Sequence, residues 1–201
     1  MIIQIIMGVL LIPSVVIHEV AHGYMALKLG DPTAKNQGRL TLNPISHIDL
    51  LGSIIIPGML IASGSSFLIG WAKPVPINPG YFKNPTKGMM WVALAGPASN
   101  IVIAIISGLI LRLFPNSSSL VQVPLILLAQ LNLVLALFNL FPVPPLDGSR
   151  VLLYFSSEKV QRWLTQIEPY GILIVALLSY LGVFGPYIQF FVTPLYHAIM
   201  P

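Results

Sequence analysis

The stretch Val15–Ala26, VVIHEVAHGYMA, sets two histidines and a glutamate inside an apolar run that starts at Ile2. Residues 3–28 have the length and composition of a bilayer-crossing helix, for which about 20 mostly apolar residues are enough. Ionisable groups at membrane depth are costly, so a span carrying three of them needs a reason for each. On a helix, His18 and His22 lie four residues apart and share a face, with Glu19 projecting beside the first. This is the HExxH arrangement, in which two imidazoles bind zinc and the glutamate activates a water.

Composition agrees with a membrane setting. The 201-residue chain is 56% hydrophobic and 8% charged, with mean hydropathy +0.86, whereas soluble domains carry about a quarter charged residues. One compact membrane domain over residues 1–201 is expected. The net charge of +4 comes without a basic run and does not suggest nucleic-acid binding. No cysteine is present, which removes disulfides, thiolate metal sites and cysteine catalysis. The apolar N-terminus lacks a basic n-region and a small-residue cleavage site, so it reads as a retained first span.

The expected fold is an all-α polytopic membrane protein. Four segments read as clear transmembrane helices: 3–28, 88–113, 120–141 and 171–194. A fifth apolar segment, 50–69, is interrupted by Pro57-Gly58 and by the Ser63-Gly64-Ser65-Ser66 run. Residues 70–87, GWAKPVPINPGYFKNPTK, hold four prolines among alternating apolar residues; extended structure, a small membrane-associated β element around 70–80, is expected there. A short helix is expected at 156–167.

Nine of the ten Lys and Arg residues fall in three connections: Lys28, Lys35 and Arg39; Lys73, Lys83 and Lys87; Arg150, Lys159 and Arg162. The positive-inside rule puts these connections in the cytoplasm and both termini outside. A single crossing by 50–69 would invert everything after it. The charge bias therefore favours a re-entrant excursion, with an ordinary fifth span as the alternative.

A catalytic zinc wants three protein ligands and one open position. Apart from Glu19, the acids are Asp31, Asp49, Asp147, Glu158 and Glu168. Asp147 follows the 120–141 span within FNLFPVPPLDG, where Pro142, Pro144 and Pro145 end the helix on the side assigned to His22. It is the candidate third ligand, although Asp-Gly is also an ordinary turn pair. Asn100 and Asn139 are intramembrane amides. Each can simply bond a neighbouring helix; one of them, preferably Asn139, can donate to a developing oxyanion. His47 and Asp49 read as an ancillary metal or substrate site or, more plainly, as a surface histidine and a helix-capping acid.

HEVAH at 18–22, AGPASN at 95–100 and FNLFPVPPLDG at 138–148 together resemble the site-2 protease family of intramembrane zinc metalloproteases. The stretch from His18 to Ser53 is especially similar to its compact prokaryotic branch. The resemblance implies one zinc per chain on His18, His22 and Asp147, Glu19 as catalytic base and proton shuttle, and Asn139 near the scissile carbonyl. It also implies single-pass membrane-protein substrates, cut within or next to their spans in a cell membrane, and a β edge at 70–80 that pairs with an unwound substrate. The length leaves no room for the PDZ or CBS modules of many relatives. Two rival readings stand beside this one: a metal-binding membrane transporter, and a catalytically inactive relative that binds membrane proteins.

Overall fold

The computed structural model describes residues 2–64 and 70–201. Three helices are long and apolar enough to cross a membrane: α1 (Ile2–Lys28), α4 (Pro85–Leu113) and α5 (Ser119–Asn139). Between α1 and α4 lie the short helices α2 (Thr33–Asn36) and α3 (Ile56–Ala62). After α5 come α6 (Asp147–Phe155), α7 (Glu158–Ile167), α8 (Gly171–Tyr180) and α9 (Phe184–Ile199). Apolar side chains such as Ile5, Val9 and Ile12 of α1 and Val102, Ile106 and Leu109 of α4 are exposed, while Ser14, His18, His22, Asn100, Ser107 and Asn132 are buried. That inverted distribution suits helices solvated by lipid and packed on one another through polar and small residues. The chain is a multi-pass membrane protein.

Helix α4 is the central element and packs against α1, α5 and α6. Ala104 and Leu111 of α4 meet Ala129, Leu133 and Leu137 of α5 and Val192 of α9 in one core cluster. Gly108 lets α9 close on α4, since a Cβ there would lie 2.5 Å from the Ile199 carbonyl oxygen. Two N-caps start the central helix and its approach: Asn84 accepts from the Lys87 N–H, and Asn78 accepts from the Gly80 N–H.

The segment 171–194 is not one continuous helix. Helices α8 and α9 are separated by a turn, and the run Glu158–Tyr180 is bent by 79° from Phe184–Ile199. The physical reason is Gly182, in the left-handed region at φ 72°. Its N–H bonds the Ser179 carbonyl at 3.0 Å and the Val183 N–H bonds Leu178 at 3.0 Å, the hydrogen-bond pair of a Schellman stop. The described residues thus hold three crossing helices, or four if the bent pair makes one span.

The expected β element is also corrected. Among the described residues there is no strand, and 70–78 is extended but unpaired in any ladder. Pro74, Pro76 and Pro79 remove ladder donors. Four of the remaining N–H groups bond scattered partners: Trp71 to the Gly52 carbonyl, Lys73 to the His47 carbonyl, Val75 to Glu19 and Asn78 to Asp31.

In the segment 50–69, residues 65–69 lie outside the described residues. Leu50–Ile55 form a π-helical turn capped by Asp49, which accepts from the Gly52 N–H at 2.7 Å, and α3 follows. The apolar helix Leu50–Ala62 spans about 20 Å at 1.5 Å per residue, short of a bilayer core of about 30 Å. Its two flanks meet: the Trp71 N–H bonds Gly52 at 3.1 Å, and the Ser53 hydroxyl bonds the Trp71 carbonyl at 2.8 Å. Chain leaving at Gly52 is therefore back beside it at Trp71.

Candidate metal centre

Three side chains converge from α1 and the start of α6. His18 Nε2 lies 3.0 Å from His22 Nε2 and 3.1 Å from Asp147 Oδ2, and His22 Nε2 lies 3.4 Å from that same oxygen. Both imidazoles are buried and Asp147 is half-buried. The i, i+4 spacing stacks the two histidines on one face of α1, and the Pro142–Pro145 turn after α5 brings Asp147 to them as the first residue of α6. Gly148 makes this turn possible, because a Cβ there would come 2.1 Å from the Leu140 carbonyl oxygen.

The hydrogen bonds on the far ring nitrogens fix what the near ones are. His22 Nδ1 lies 2.7 Å from the Val92 carbonyl, which can only accept, so Nδ1 carries a proton and in the neutral ring Nε2 carries the lone pair. His18 Nδ1 lies 2.6 Å from Asn100 Oδ1. The orientation of that amide follows from its other end, where Nδ2 donates to Asn132 Oδ1 at 2.7 Å and to the Ser14 carbonyl at 3.3 Å. Asn132 in turn donates to Ser14 Oγ and the Leu128 carbonyl, both at 2.9 Å. With both rings neutral, two lone pairs and a carboxylate oxygen face one another. A single shared proton would lie along one edge of the triangle and leave the third atom repelled. A cation at its apex satisfies all three. Tetrahedral coordination with bonds of about 2.0–2.1 Å puts ligand atoms about 3.3 Å apart, and the observed edges of 3.0, 3.1 and 3.4 Å match. The residues fit a zinc-type ion bound by two imidazoles and one carboxylate.

A cavity of about 590 Å³ opens over the triangle. It is lined by α1, α4, α5, α6, α8 and the extended run 70–77, and its walls include Glu19, Asn139 and Arg150. Glu19 Oε2 accepts the Val75 N–H at 2.9 Å. Asn139 spends one amide hydrogen on the Leu135 carbonyl at 2.9 Å and has a second to offer. Arg150 is held by a forked ion pair to Glu168.

Two candidates from the sequence take other places. Asn100 is fully buried behind His18, with both ends of its amide engaged; it supports a ligand and does not face substrate. His47 is buried away from the triangle, bonding the Thr41 carbonyl through Nε2 at 2.9 Å, and its own carbonyl receives the Lys73 N–H. It is buried rather than at the surface and stands outside the triangle, and its carbonyl anchors the extended run; Asp49 is the capping acid. Sequence reasoning missed Gly96. A Cβ there would come 2.5 Å from the His22 ring and 2.6 Å from the His18 ring, so the imidazoles occupy space that only glycine leaves free. It also missed Asn132 and Ser14; the visible signal was Ser14 one helical turn before His18 and a second amide within a span.

Comparison with known proteins agrees with this centre. The profile of Peptidase family M50 matches residues 115–182, which include Asp147. The chain is 44% identical over 187 residues to the candidate zinc metalloprotease YwhC of Bacillus subtilis (strain 168), covering 89% of this chain and 81% of that one. It is 31% identical to the candidate zinc metalloprotease Rip2 of Mycolicibacterium smegmatis, over 82% of this chain and 62% of that one. Against the zinc metalloprotease MJ0392 of Methanocaldococcus jannaschii the identity is 28%, over 77% and 35% of the two chains. No solved structure matches the chain significantly. With a relative at this identity and coverage, and the family profile matched across the segment that carries Asp147, the chain belongs to peptidase family M50.

Proposed function

We propose that the protein hydrolyses peptide bonds within or next to the transmembrane segments of single-pass membrane proteins, using zinc held by His18, His22 and Asp147. As a member of family M50 it is a zinc metalloprotease; the membrane-embedded substrate and the residue roles are the further reading. The observation that carries it is the triangle of lone pairs, with edges of 3.0–3.4 Å, on a helix that is itself a candidate span and beneath a cavity large enough for an extended peptide. Zinc in this site supplies Lewis acidity and lowers the pKa of water toward about 7.

The chain's own residues do the rest. Glu19, with one oxygen tied to Val75 and the other without a protein partner among the described residues, takes the proton from the attacking water and returns it to the leaving amine. Asn139 offers its second amide hydrogen to the carbonyl oxygen as charge develops there. The buried amides Asn100 and Asn132 keep His18 in the tautomer that presents a lone pair. The extended run 70–77 along the cavity wall suits a substrate that must be unwound before its peptide bonds can be reached. We read the chain as one catalytic domain of the cell membrane, with the metal centre toward the cytoplasm and both termini outside, on the charge bias of its connections. The transporter reading lacks a relay: apart from Glu19 and Asp147 the cavity wall carries no acid.

The test is metal content and cleavage together. Purified protein is expected to hold one zinc per chain, and His22→Ala none. Co-reconstituted in liposomes with a single-pass test protein whose apolar helix carries two central glycines, wild type is expected to cut within the helix. Glu19→Gln should keep the zinc and lose about 10²–10⁴-fold in rate. Zinc-free wild type after reloading, or an active Glu19→Gln, overturns the reading.

A further inference from the structure

Residues 73–76 read Lys-Pro-Val-Pro. Proline has no N–H, so Val75 carries the only backbone donor at 74–76. Pro76 also restricts Val75 to extended backbone. That lone donor reaches Glu19 Oε2 at 2.9 Å. Helix α1 and the run come this close because residue 23, one turn beyond Glu19, is glycine: a Cβ there would lie 2.9 Å from Val75 Cγ1. The run is gripped on both sides of the contact. Upstream, the Lys73 N–H bonds the His47 carbonyl at 2.9 Å, and Arg39 Nη2 donates to the Lys73 and Pro74 carbonyls at 2.9 and 3.2 Å. Downstream, the Asn78 N–H bonds the buried Asp31 carboxylate at 2.7 Å. Four hydrogen bonds from three residues of the loop after α1 thus hold the stretch whose Val75 N–H goes to the glutamate.

We propose that Val75 is a positioning residue: its backbone N–H pins one carboxylate oxygen of Glu19, so that the other is held toward the cavity in one orientation. This rests on the reading of Glu19 as the catalytic base. A glutamate side chain has three rotatable bonds, and a charge-assisted N–H bond selects one arrangement among the many it can otherwise sample. Misplacing a reacting group by about 1 Å can cost about a hundredfold in rate. Because the donor is main chain, the effect belongs to the N–H and not to the valine side chain, and the two can be separated.

The experiment replaces Val75 by its α-hydroxy acid, an ester that deletes the N–H and keeps the side chain. Kinetics on the glycine-containing single-pass test protein are expected to show kcat lower by about tenfold to a hundredfold, with KM and zinc content unchanged. Val75→Ala keeps the donor, and its kcat should stay well above that of the ester. Wild-type kcat in the ester, loss of zinc from it, or equal damage from Val75→Ala would each overturn the proposal. A Glu19→Gln protein that cleaves is a different result, because it removes the base itself. Amide exchange serves where the ester does not fold and needs no cleavage: in Glu19→Ala the Val75 amide should exchange faster while that of Lys73, bonded to His47, does not. An unchanged Val75 rate would overturn the contact.

Discussion

Single residues in this protein act mainly by setting which face of another residue is free. Asn100 shows it: the amide touches neither cavity nor solvent, yet its oxygen decides that His18 presents a lone pair to the metal position. Outer partners of this kind typically carry about 10–100-fold in metal affinity. Asn100→Ala is therefore expected to weaken zinc binding by that factor, read by competition with a chromophoric chelator, while the helices stay folded by circular dichroism. Gly96 acts through space alone. Its missing Cβ leaves room for both imidazoles, so Gly96→Ala must push one ring away and should weaken zinc by more than about tenfold; unaltered affinity would show that the rings can shift without cost. The HExxH pair was legible from its short spacing, whereas Asp147 stood out only by following the proline turn on the side assigned to His22. Gly96 was not, because a close approach between helices distant in sequence leaves no local mark.

At the scale of elements, the connections carry as much of the site as the spans do. Asp31 is fully buried at the end of α1 and accepts from the Thr33 hydroxyl, the Thr33 N–H and the Asn78 N–H. Burial would raise its pKa, but those donors outweigh burial and hold the carboxyl below its usual 3.8. A group with a depressed folded pKa contributes stability that is present above its unfolded value and is lost as pH falls through the folded one. Wild type should therefore melt above Asp31→Asn near neutral pH, and the gap should close as pH falls below the usual 3.8 and through the lower folded value. A gap independent of pH would mean that the carboxylate charge is not what ties the loop to the extended run. The long apolar helices were readable from length and hydropathy. The break between α8 and α9 was not, because a left-handed Gly182 inside an apolar run looks the same in sequence as a glycine within a span. The expectation of a β element failed for a similar reason: alternation announces extended backbone, but only tertiary contacts decide whether its donors meet a ladder or, as here, a glutamate, an aspartate and two loop carbonyls.

For the whole molecule the question is how many times the chain crosses between His22 and Asp147. For both to reach one metal, as proposed, the number of crossings between them must be even. Helices α4 and α5 supply two. The excursion from Gly52 to Trp71 ends hydrogen-bonded to its own beginning, which supports the re-entrant reading of 50–69 over a single crossing. The charge pattern argues the same way, because Lys73, Lys83 and Lys87 then share a side with Lys35 and Arg39. The chain has no cysteine, so single cysteines report sidedness cleanly. Lys35→Cys, Lys83→Cys and Lys159→Cys should all react with a membrane-impermeant maleimide only after the cytoplasmic face is opened, whereas Asn116→Cys, in the turn between α4 and α5, should react in intact cells. If Lys83→Cys reacted from the outside while Lys35→Cys did not, residues 50–69 would be a true span. His22 and Asp147 would then face opposite sides, and the shared metal centre could not exist as described.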